Sequence, residues 1–323
     1  MNIKVSIIIP VYNVAPFLDA CLSSCINQTF HDIEIIVVND GSTDDSPRII
    51  QEYAEKDDRV KVITKENQGL VYARKSGLEV AHGEYVFHLD GDDYIEINAI
   101  ELLYSEVLRS GADYVACNFF SVYEGNKSTS DISNVFYKLS GQELLLSILR
   151  YKTWNIWGKL MKKSLFDNII YYPVSIGEDL FFHMQICLKI KKAVCIENHL
   201  HNYVLRSGSM TGQNRRICRE VKRDMVRYMF RIMDIYPYNQ AIREEVYLLF
   251  YYFFLNCIAH KEMEIKTILY NNYWSNKERK TFLWRKRKDF YLITSIFFRS
   301  SYLGCLVANV YLFMVLIWRK IRK

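Results

Sequence analysis

Short apolar runs alternate with amphipathic, helix-like segments through the first 120 residues. The run from Ile35 to Val38 is apolar at every position, which is typical of a central strand buried on both faces. We therefore predict an α/β fold: a Rossmann-like, mostly parallel sheet with flanking helices. The predicted strands are Val5 to Pro10, Ile33 to Asn39, Val60 to Thr64, Tyr85 to Leu89 and Tyr114 to Phe119, and the predicted helices cover residues 15–26, 45–56, 68–81 and 98–110.

The pattern changes farther along the chain. A polar stretch from Glu124 to Ser133 predicts a loop. From about residue 215, apolar and aromatic residues recur at helical spacing, which predicts a helical C-terminal region. We predict three parts: an α/β domain over residues 1–212, a helical region over 213–288, and a basic, apolar tail over 289–323.

The positive charge is concentrated in the tail. Residues 261–323 carry 14 Lys and Arg against 4 Asp and Glu, while residues 1–260 carry 28 against 32. Between basic clusters, residues 302–318 form an apolar run of 17 residues interrupted by Asn309. That length is at the lower limit for spanning a bilayer of about 30 Å. This combination favours peripheral or re-entrant association with the cytoplasmic face of the cell membrane over a single span, and disfavours binding to nucleic acid.

Cysteine usage and the N-terminal sequence bear on the compartment. The eight cysteines include no CxxC pair and no His cluster at zinc spacing, which indicates a reduced setting. Met1 to Val5 leads directly into an apolar strand without the three regions of a signal peptide. We therefore expect a cytoplasmic location.

Polar residues follow three of the predicted strands. In open sheets of this class, ligands bind outside the carboxyl ends of the strands. The residues at those ends are Tyr12 and Asn13, the stretch 40–42, and the stretch 90–93. These positions are the candidate site.

Asp90 and Asp92 are two residues apart, so in extended backbone their side chains point the same way and can share one cation, while Asp93 points opposite. Oxygen ligands suit Mg²⁺ or Mn²⁺ bridged to substrate phosphates. The alternative is an ordinary acidic turn around Gly91.

Asp40 opens a turn in which Gly41 permits a sharp bend. The Asp40 carboxylate could accept an N–H from a nucleobase such as uracil. Helix capping is the preferred interpretation of Thr43 and Asp44.

Taken together, these segments resemble glycosyltransferase family 2. Four motifs stand in order: VSIIIPVYN at 5–13, EIIVVNDGSTD at 34–44, Ala73-Arg74, and GEYVFHLDGDD at 83–93. They are similar to the ordered motifs of that family's GT-A nucleotide-sugar domain. The resemblance is strong to about residue 120 and moderate to about residue 212.

The resemblance implies roles for individual residues on the donor side. Asp40 would contact the base and Arg74 would lie near the diphosphate. Asp90, Gly91 and Asp92 would form the DxD motif, whose two aspartates hold Mn²⁺ (manganese) or Mg²⁺ (magnesium). The residues that would border the nucleoside are Pro10, Val11, Tyr12 and Asn13.

Three segments of the second half extend the resemblance. Glu178-Asp179 resembles the family's ED motif, whose aspartate is the catalytic base; the plain alternative is acidic charge at a helix N-terminus. Residues 157–160 resemble an acceptor-side segment. Arg206 lies in a stretch similar to a loop of polysaccharide-building members and could reach the diphosphate, because its fork matches phosphate oxygens.

The resemblance therefore implies an inverting, metal-dependent glycosyltransferase of cell-surface polysaccharide synthesis. The expected partners are a nucleotide sugar, with a UDP-sugar preferred, and a glycan or lipid-linked glycan acceptor. Two alternatives stay open. One is a sugar-nucleotide nucleotidyltransferase, although such enzymes commonly have a Gly-rich loop after the first strand, where this chain has Pro10 to Asn13. The other is a catalytically inactive, membrane-docked subunit that binds nucleotide sugars.

Overall fold

The computed structural model describes residues 3–136, 139–174, 176–206, 219–259, 267, 277, 288–299, 304–309 and 311–312. The chain divides into two compact units, Met1–Gln213 and Asn214–Lys323. The division falls one residue from the predicted end of the α/β domain. All the candidate site residues named above belong to the first unit.

The first unit contains nine strands and six helices among its described residues. All five predicted strands and all four predicted helices are present, with ends that differ by a few residues at most. The strands are β1 Val5–Val11, β2 Ile33–Asp40, β3 Val60–Lys65, β4 Tyr85–His88, β5 Tyr94–Ile95, β6 Tyr114–Tyr123, β7 Asn126–Ser130, β8 Lys159–Lys162 and β9 Ala193–Val204, and the helices are α1 Ala15–Ile26, α2 Ser46–Lys56, α3 Leu70–Val80, α4 Ala99–Ser110, α5 Gly141–Tyr151 and α6 Glu178–Ile186.

The described strands form one sheet in the order β3-β2-β1-β4-β8-β6-β9-β5, with β7 paired to β6. The strands from β3 to β4 are parallel, as predicted. Beyond them the sheet is mixed, since β8 runs antiparallel to both β4 and β6, whereas β6 and β9 are parallel. The α/β class is confirmed, but a mostly parallel sheet describes only the first half.

The polar stretch after β6 was expected to be a loop, and this expectation was wrong in part. Residues Asn126–Ser130 form β7, which pairs antiparallel with the end of β6 around a turn at Glu124 and Gly125. Most of β7 is exposed. An edge strand of polar residues carries no buried face, and so its sequence lacks the alternation that identifies a strand.

The central strands are buried because both faces are covered. Every residue of β1 and β2 is buried. Ile7 of β1 packs in a core with Leu18 and Leu22 of α1. On the opposite face α3 lies close to β1, and a Cβ atom at Gly77 would lie 2.5 Å from Ile8 Cγ2. Gly77 therefore permits the close approach of α3, which carries Arg74 one turn earlier.

The second unit is helical where it is described, as the pattern predicted. Its helices are α7 Arg219–Ile235, α8 Gln240–Leu249, α9 Tyr251–Ala259 and α10 Lys288–Arg299, with residues 304–309 also helical. Ile293 and Phe297 of the predicted tail are buried, and Cys305 donates to the Ile258 carbonyl at 3.0 Å. Among the described residues, those of the predicted tail thus contact the helical region. No helix among the described residues is long and apolar enough to cross a membrane.

Candidate active site

A cavity of about 310 Å³ opens at the carboxyl ends of β1, β2 and β4, beside the end of β9. The topology explains its position. The chain adds β2 and β3 on one side of β1 and then β4 on the other, and a sheet whose strand order reverses in this way has a crevice at the strand ends. Eight of the predicted donor-side residues line it, namely Pro10, Val11, Tyr12, Asp40, Asp90, Gly91, Asp92 and Arg206. The lining residues are Pro10, Val11, Tyr12, Val14, Asp40, Asn67, Gly69, Leu70, Ala73, Asp90, Gly91, Asp92, Tyr203, Val204 and Arg206.

Asp90 to Asp93 form a turn and not the extended backbone expected from the sequence. The Asp93 N–H donates to the Asp90 carbonyl at 2.9 Å. Asp90 and Asp92 nevertheless both reach the cavity, whereas Asp93 is buried away from it. Asp93 Oδ1 accepts from the Val204 N–H at 2.8 Å, and Asp93 Oδ2 lies 2.9 Å from His201 Nε2. Asp93 thus ties the turn to β9.

Asp40 is 2 % exposed and holds the loop that enters α3. Its Oδ1 accepts from the Gln68 N–H at 3.1 Å and its Oδ2 from the Gly69 N–H at 2.8 Å. Each oxygen keeps a second lone pair. Asn67, Gly69 and Leu70 line the cavity and were missed in the sequence, although the carboxyl end of β3 was a signal that could have identified them.

Asn13 supports the site from outside the cavity lining. Its backbone has a positive φ of 51°, and its Oδ1 accepts from the Thr43 N–H at 2.7 Å. Asp44 accepts from the N–H groups of Ala15 and Ser46, both at 3.0 Å. Burial opposes ionisation of Asp44, but these hydrogen bonds outweigh it and lower its pKa. The two strand-to-helix loops are thereby joined, and Asp44 bonds the start of both α1 and α2.

Arg74 is 1 % exposed and lies at the centre of three carboxylates. Its Nη2 donates to Asp90 Oδ1 at 2.8 Å, and its Nη1 donates to Glu178 Oε1 at 3.0 Å and to Asp179 Oδ1 at 2.8 Å. Burial disfavours the charged guanidinium, but the three carboxylates raise the pKa of Arg74. The buried Arg74 guanidinium therefore connects the turn at Asp90 to the start of α6.

Asp179 occupies the first turn of α6 and belongs, with Asp90 and Glu178, to the cluster around the buried Arg74, which we call the floor of the site; Asp179 does not itself line the cavity. Its Oδ2 accepts from the Ile156 N–H at 3.2 Å, opposite the oxygen that Arg74 holds. Burial raises the pKa of Asp179 to about 7; Arg74 opposes this rise, and the neighbouring Glu178 and Asp90 carboxylates support it. A carboxyl group with that pKa is well suited to exchange a proton near neutral pH.

An aromatic stack extends from the residue after Ile156 to the cavity wall. The Trp157 ring stacks on His201 with centroids 4.3 Å apart and on Tyr203 with centroids 5.2 Å apart. Tyr203 lines the cavity. Ile156 contacts Asp179, and the next residue, Trp157, packs on Tyr203 of the cavity wall. The sequence did not reveal this connection.

Lys159 follows the same segment and is fully buried, with its Nζ 3.1 Å from the Trp157 carbonyl. Burial lowers the pKa of Lys159 to about 8, against the attraction of nearby Cys117 and Asp179. Nothing in the sequence distinguished this lysine from a solvated one. The hydrogen bond to Trp157 fixes the segment from inside.

Arg206 lies at the rim of the cavity, two residues beyond β9. Its Nε and Nη2 both lie 2.7 Å from Asp92 Oδ2. Burial and the Asp90 charge raise the pKa of Asp92, and Arg206 opposes them. Asp90 and Asp92 are therefore each paired with a different arginine.

The carboxylate oxygens of Asp90 and Asp92 are of the type that binds Mg²⁺ or Mn²⁺. Mg²⁺ and Mn²⁺ commonly bind through one or two carboxylates and complete their shell with substrate phosphates and water. Within the described ranges, no group of three or more His, Cys, Asp or Glu side chains is arranged to hold a metal. Asp90 and Asp92 would be the residues to hold such an ion.

This combination of a parallel half-sheet, a crevice at its strand ends and paired aspartates on its rim defines a GT-A type nucleotide-sugar domain. The sequence profile described as "Glycosyl transferase family 2" matches residues 6–172. The chain belongs to this family, which confirms the resemblance drawn from the four motifs.

Two relatives illustrate the match. The chain is similar to the glycosyltransferase GlyA of Streptococcus pneumoniae, with 36 % identity over 64 % of this chain and 31 % of that protein. It is also similar to the cholesterol galactosyltransferase of Borreliella burgdorferi, with 32 % identity over 77 % of this chain and 74 % of that protein. The chain thus spans about a third of the first relative and three quarters of the second.

A solved structure extends the comparison to the fold. The crystal structure of S. aureus TarS residues 1–349 in complex with UDP-GlcNAc superposes with a TM-score of 0.72, covering 95 % of this chain and 91 % of that one. The identity is 18 %. At that level the likeness shows the fold alone.

Proposed function

We propose that this protein transfers a sugar from a nucleoside diphosphate sugar to a hydroxyl of a glycan or lipid-linked glycan, with inversion at the anomeric carbon. The observation that carries the proposal is the shared guanidinium of Arg74, which joins Asp90 at the cavity to Asp179 at the floor of the site. Single displacement needs a site for the leaving diphosphate and a base on opposite sides of one carbon. These contacts bring a carboxylate of the cavity lining and a candidate base within reach of one side chain, which supports the proposal.

The cavity residues fall into two groups, one suited to the base of the nucleotide sugar and one suited to its diphosphate. Tyr12 is 49 % exposed beside the buried Asp40, an arrangement suited to stacking and hydrogen bonding a nucleobase. Asp90 and Asp92 would hold a divalent cation that binds the diphosphate, and Arg206 lies beside them in the cavity lining. We favour UDP because an Asp40 carboxylate can accept the uracil N–H, and because the TarS structure with the same fold contains UDP-GlcNAc. When bound, Mn²⁺ or Mg²⁺ at Asp90 and Asp92 supplies Lewis-acid stabilisation of the leaving diphosphate.

Asp179 serves as the general base. It takes the proton from the acceptor hydroxyl while that oxygen forms a bond to the anomeric carbon, and the bond from that carbon to the diphosphate oxygen breaks. The Arg74 and Ile156 contacts hold one oxygen each, so the carboxylate keeps a fixed orientation. Its pKa of about 7 gives it more proton affinity than an ordinary aspartate.

A panel of nucleotide sugars tests the donor assignment. Ligands that bind the folded state raise the melting temperature, and we expect UDP-sugars with Mn²⁺ to raise it more than GDP- or dTDP-sugars do. The productive donor should then release nucleoside diphosphate when an acceptor is added. Release of pyrophosphate would instead indicate a nucleotidyltransferase. Absence of any shift across the panel would refute the proposal.

For localisation we propose peripheral association of the second unit with the cytoplasmic face of the membrane. The tail residues Leu292 and Leu306 are 50 % and 54 % exposed in a region rich in Lys and Arg. Exposed apolar side chains among basic residues favour an anionic lipid surface. A cholesterol galactosyltransferase among the relatives is consistent with a lipid-linked acceptor.

Vesicle sedimentation tests this association. The Leu292→Glu/Leu306→Glu double variant should lose most of its binding to anionic vesicles, while Leu108→Glu should not, since Leu108 is 70 % exposed on α4 of the first unit. Equal sedimentation of the wild type and both variants would contradict a membrane role for Leu292 and Leu306.

A further inference from the structure

Arg206 and Asp92 form an ion pair with an uneven geometry. Two nitrogens of the guanidinium, Nε and Nη2, approach the same oxygen, Asp92 Oδ2, at 2.7 Å each. The guanidinium also contacts an aromatic ring, because its central carbon lies over Phe17, 5.0 Å from the ring centroid. Arg206 thus rests in a defined position, with its charge directed at one oxygen of the DxD motif.

The strand end that leads to Arg206 is held by buried contacts. The buried Asp93 carboxylate accepts from the Val204 N–H and contacts the buried His201 ring. The Arg206 and Asp92 side chains themselves are 24 % and 20 % exposed. The guanidinium can therefore leave Asp92 without disturbing β9 or the turn.

The two arginines of the DxD motif differ in this respect. Arg74 is 1 % exposed and holds three carboxylates, so removing it from Asp90 would also disturb Glu178 and Asp179. Arg206 contacts one carboxylate oxygen at the rim. A divalent cation that approaches the pair meets positive charge on both aspartates, and Arg206 is the one that can be displaced.

We propose that Arg206 competes with the divalent cation for Asp92, and that cation binding releases its guanidinium to bind the donor diphosphate. This inference rests on the proposed function. Two charges of the same sign on one carboxylate oxygen repel each other at short range. The freed guanidinium presents a fork that matches phosphate oxygens, within the same cavity. Cation and nucleotide should therefore bind weakly alone and more tightly together.

Titration of the full chain with Mn²⁺ and with UDP tests the exchange without measuring turnover. In the absence of nucleotide, Arg206→Gln should bind Mn²⁺ more tightly than the wild type, by about fivefold or more, since typical coupling between sites starts near that factor. At saturating Mn²⁺ the same variant should bind UDP more weakly by a similar factor. Opposite changes in the two affinities are the signature of the exchange.

Two further variants make the result specific. Arg206→Lys keeps the charge but loses the fork, so its Mn²⁺ affinity should stay near that of the wild type while its UDP affinity falls. Arg48→Gln removes an exposed arginine that pairs with Glu52 on α2, and should change neither affinity. Circular dichroism of each variant verifies that it is folded.

Several outcomes would overturn the exchange. Mn²⁺ affinity in Arg206→Gln that equals or falls below the wild-type value would show that the guanidinium does not compete. If UDP bound equally well without Mn²⁺ in the wild type and in every variant, the cation would have no role at this site. Both results leave the proposed function standing if UDP still binds. Failure of the wild type to bind UDP at any Mn²⁺ concentration would instead count against the proposed donor.

Discussion

The buried floor of the site and its open rim use the same chemistry, an arginine paired with carboxylates, in opposite settings. At the floor, Arg74 is 1 % exposed and holds Asp90, Glu178 and Asp179. At the rim, Arg206 is 24 % exposed and holds Asp92 through one oxygen. The Asp90 and Asp92 side chains are similarly exposed, at 26 % and 20 %, so the two settings differ in the burial of the arginine and in the number of carboxylates that it holds.

The difference teaches that burial decides what an ion pair does. A buried pair costs several kcal/mol to break, because one partner is left as an uncompensated charge. A pair at the surface is worth about 1 kcal/mol or less and can exchange partners. The floor is therefore suited to holding a base in place, and the rim is suited to binding and releasing a charged ligand.

The largest effect should come from the floor. Asp179→Asn keeps the shape of the side chain but cannot accept a proton, so turnover should fall by about 10²- to 10⁴-fold. UDP affinity should change little, because Asp179 is not part of the cavity lining. Single-turnover rates and UDP titration separate the two quantities, with Glu178→Gln as the neighbouring control. Near-normal turnover in Asp179→Asn would transfer the role of base to another carboxylate, first of all Glu178.

Removal of the buried Arg74 guanidinium should reduce the stability of the fold. Arg74→Ala leaves three carboxylates without their shared partner, and we expect the free energy of unfolding to fall by about 3–5 kcal/mol. Chemical denaturation measures this change. Arg48→Ala is the control, because its side chain is 62 % exposed and its loss should cost about 1 kcal/mol or less. Similar losses for both variants would remove the contrast between floor and rim.

At the rim, the effect should fall on binding. Asp92→Ala removes a carboxylate from the cavity and should weaken UDP affinity in the presence of Mn²⁺ by about tenfold to a hundredfold, as expected when a ligand-site carboxylate is lost. Its thermal stability should stay near that of the wild type, since the lost pair is partly exposed. Calorimetry with and without Mn²⁺ provides the measurement. Unchanged affinity that still depends on Mn²⁺ would refute the DxD assignment.

The smallest predicted effect is a pH dependence. Asp179 acts as a base in its ionised form, and its pKa lies at about 7. Activity should therefore rise with pH through about 7 and level off above it, with about a tenfold loss one pH unit below the midpoint. A profile of kcat/KM from pH 5.5 to 8.5 measures this rise, because kcat/KM reports the pKa values of the free enzyme. A flat profile down to pH 5.5 would mean that the base has an ordinary carboxyl pKa.

Much of the fold could be predicted from the sequence. Continuous apolar runs such as Ile35 to Val38 identify strands buried on both faces, because burial on two sides leaves no polar position. Strands with other surroundings were missed: β7 is exposed and polar, and β5 has two residues. The antiparallel insertion of β8 between β4 and β6 is a long-range pairing that no local pattern encodes.

By itself the sequence determined the family, the crevice at the strand ends and the identity of the aspartates and arginines, because short motifs fix which groups follow which strands. Only the tertiary structure decided how those groups are paired. Arg74 and Asp179 are 105 positions apart, and Arg206 and Asp92 are 114 positions apart. Spacing along a chain carries no information on burial at such distances, and burial is what distinguishes the Arg74 guanidinium, at 1 % exposure, from the Arg206 guanidinium, at 24 %.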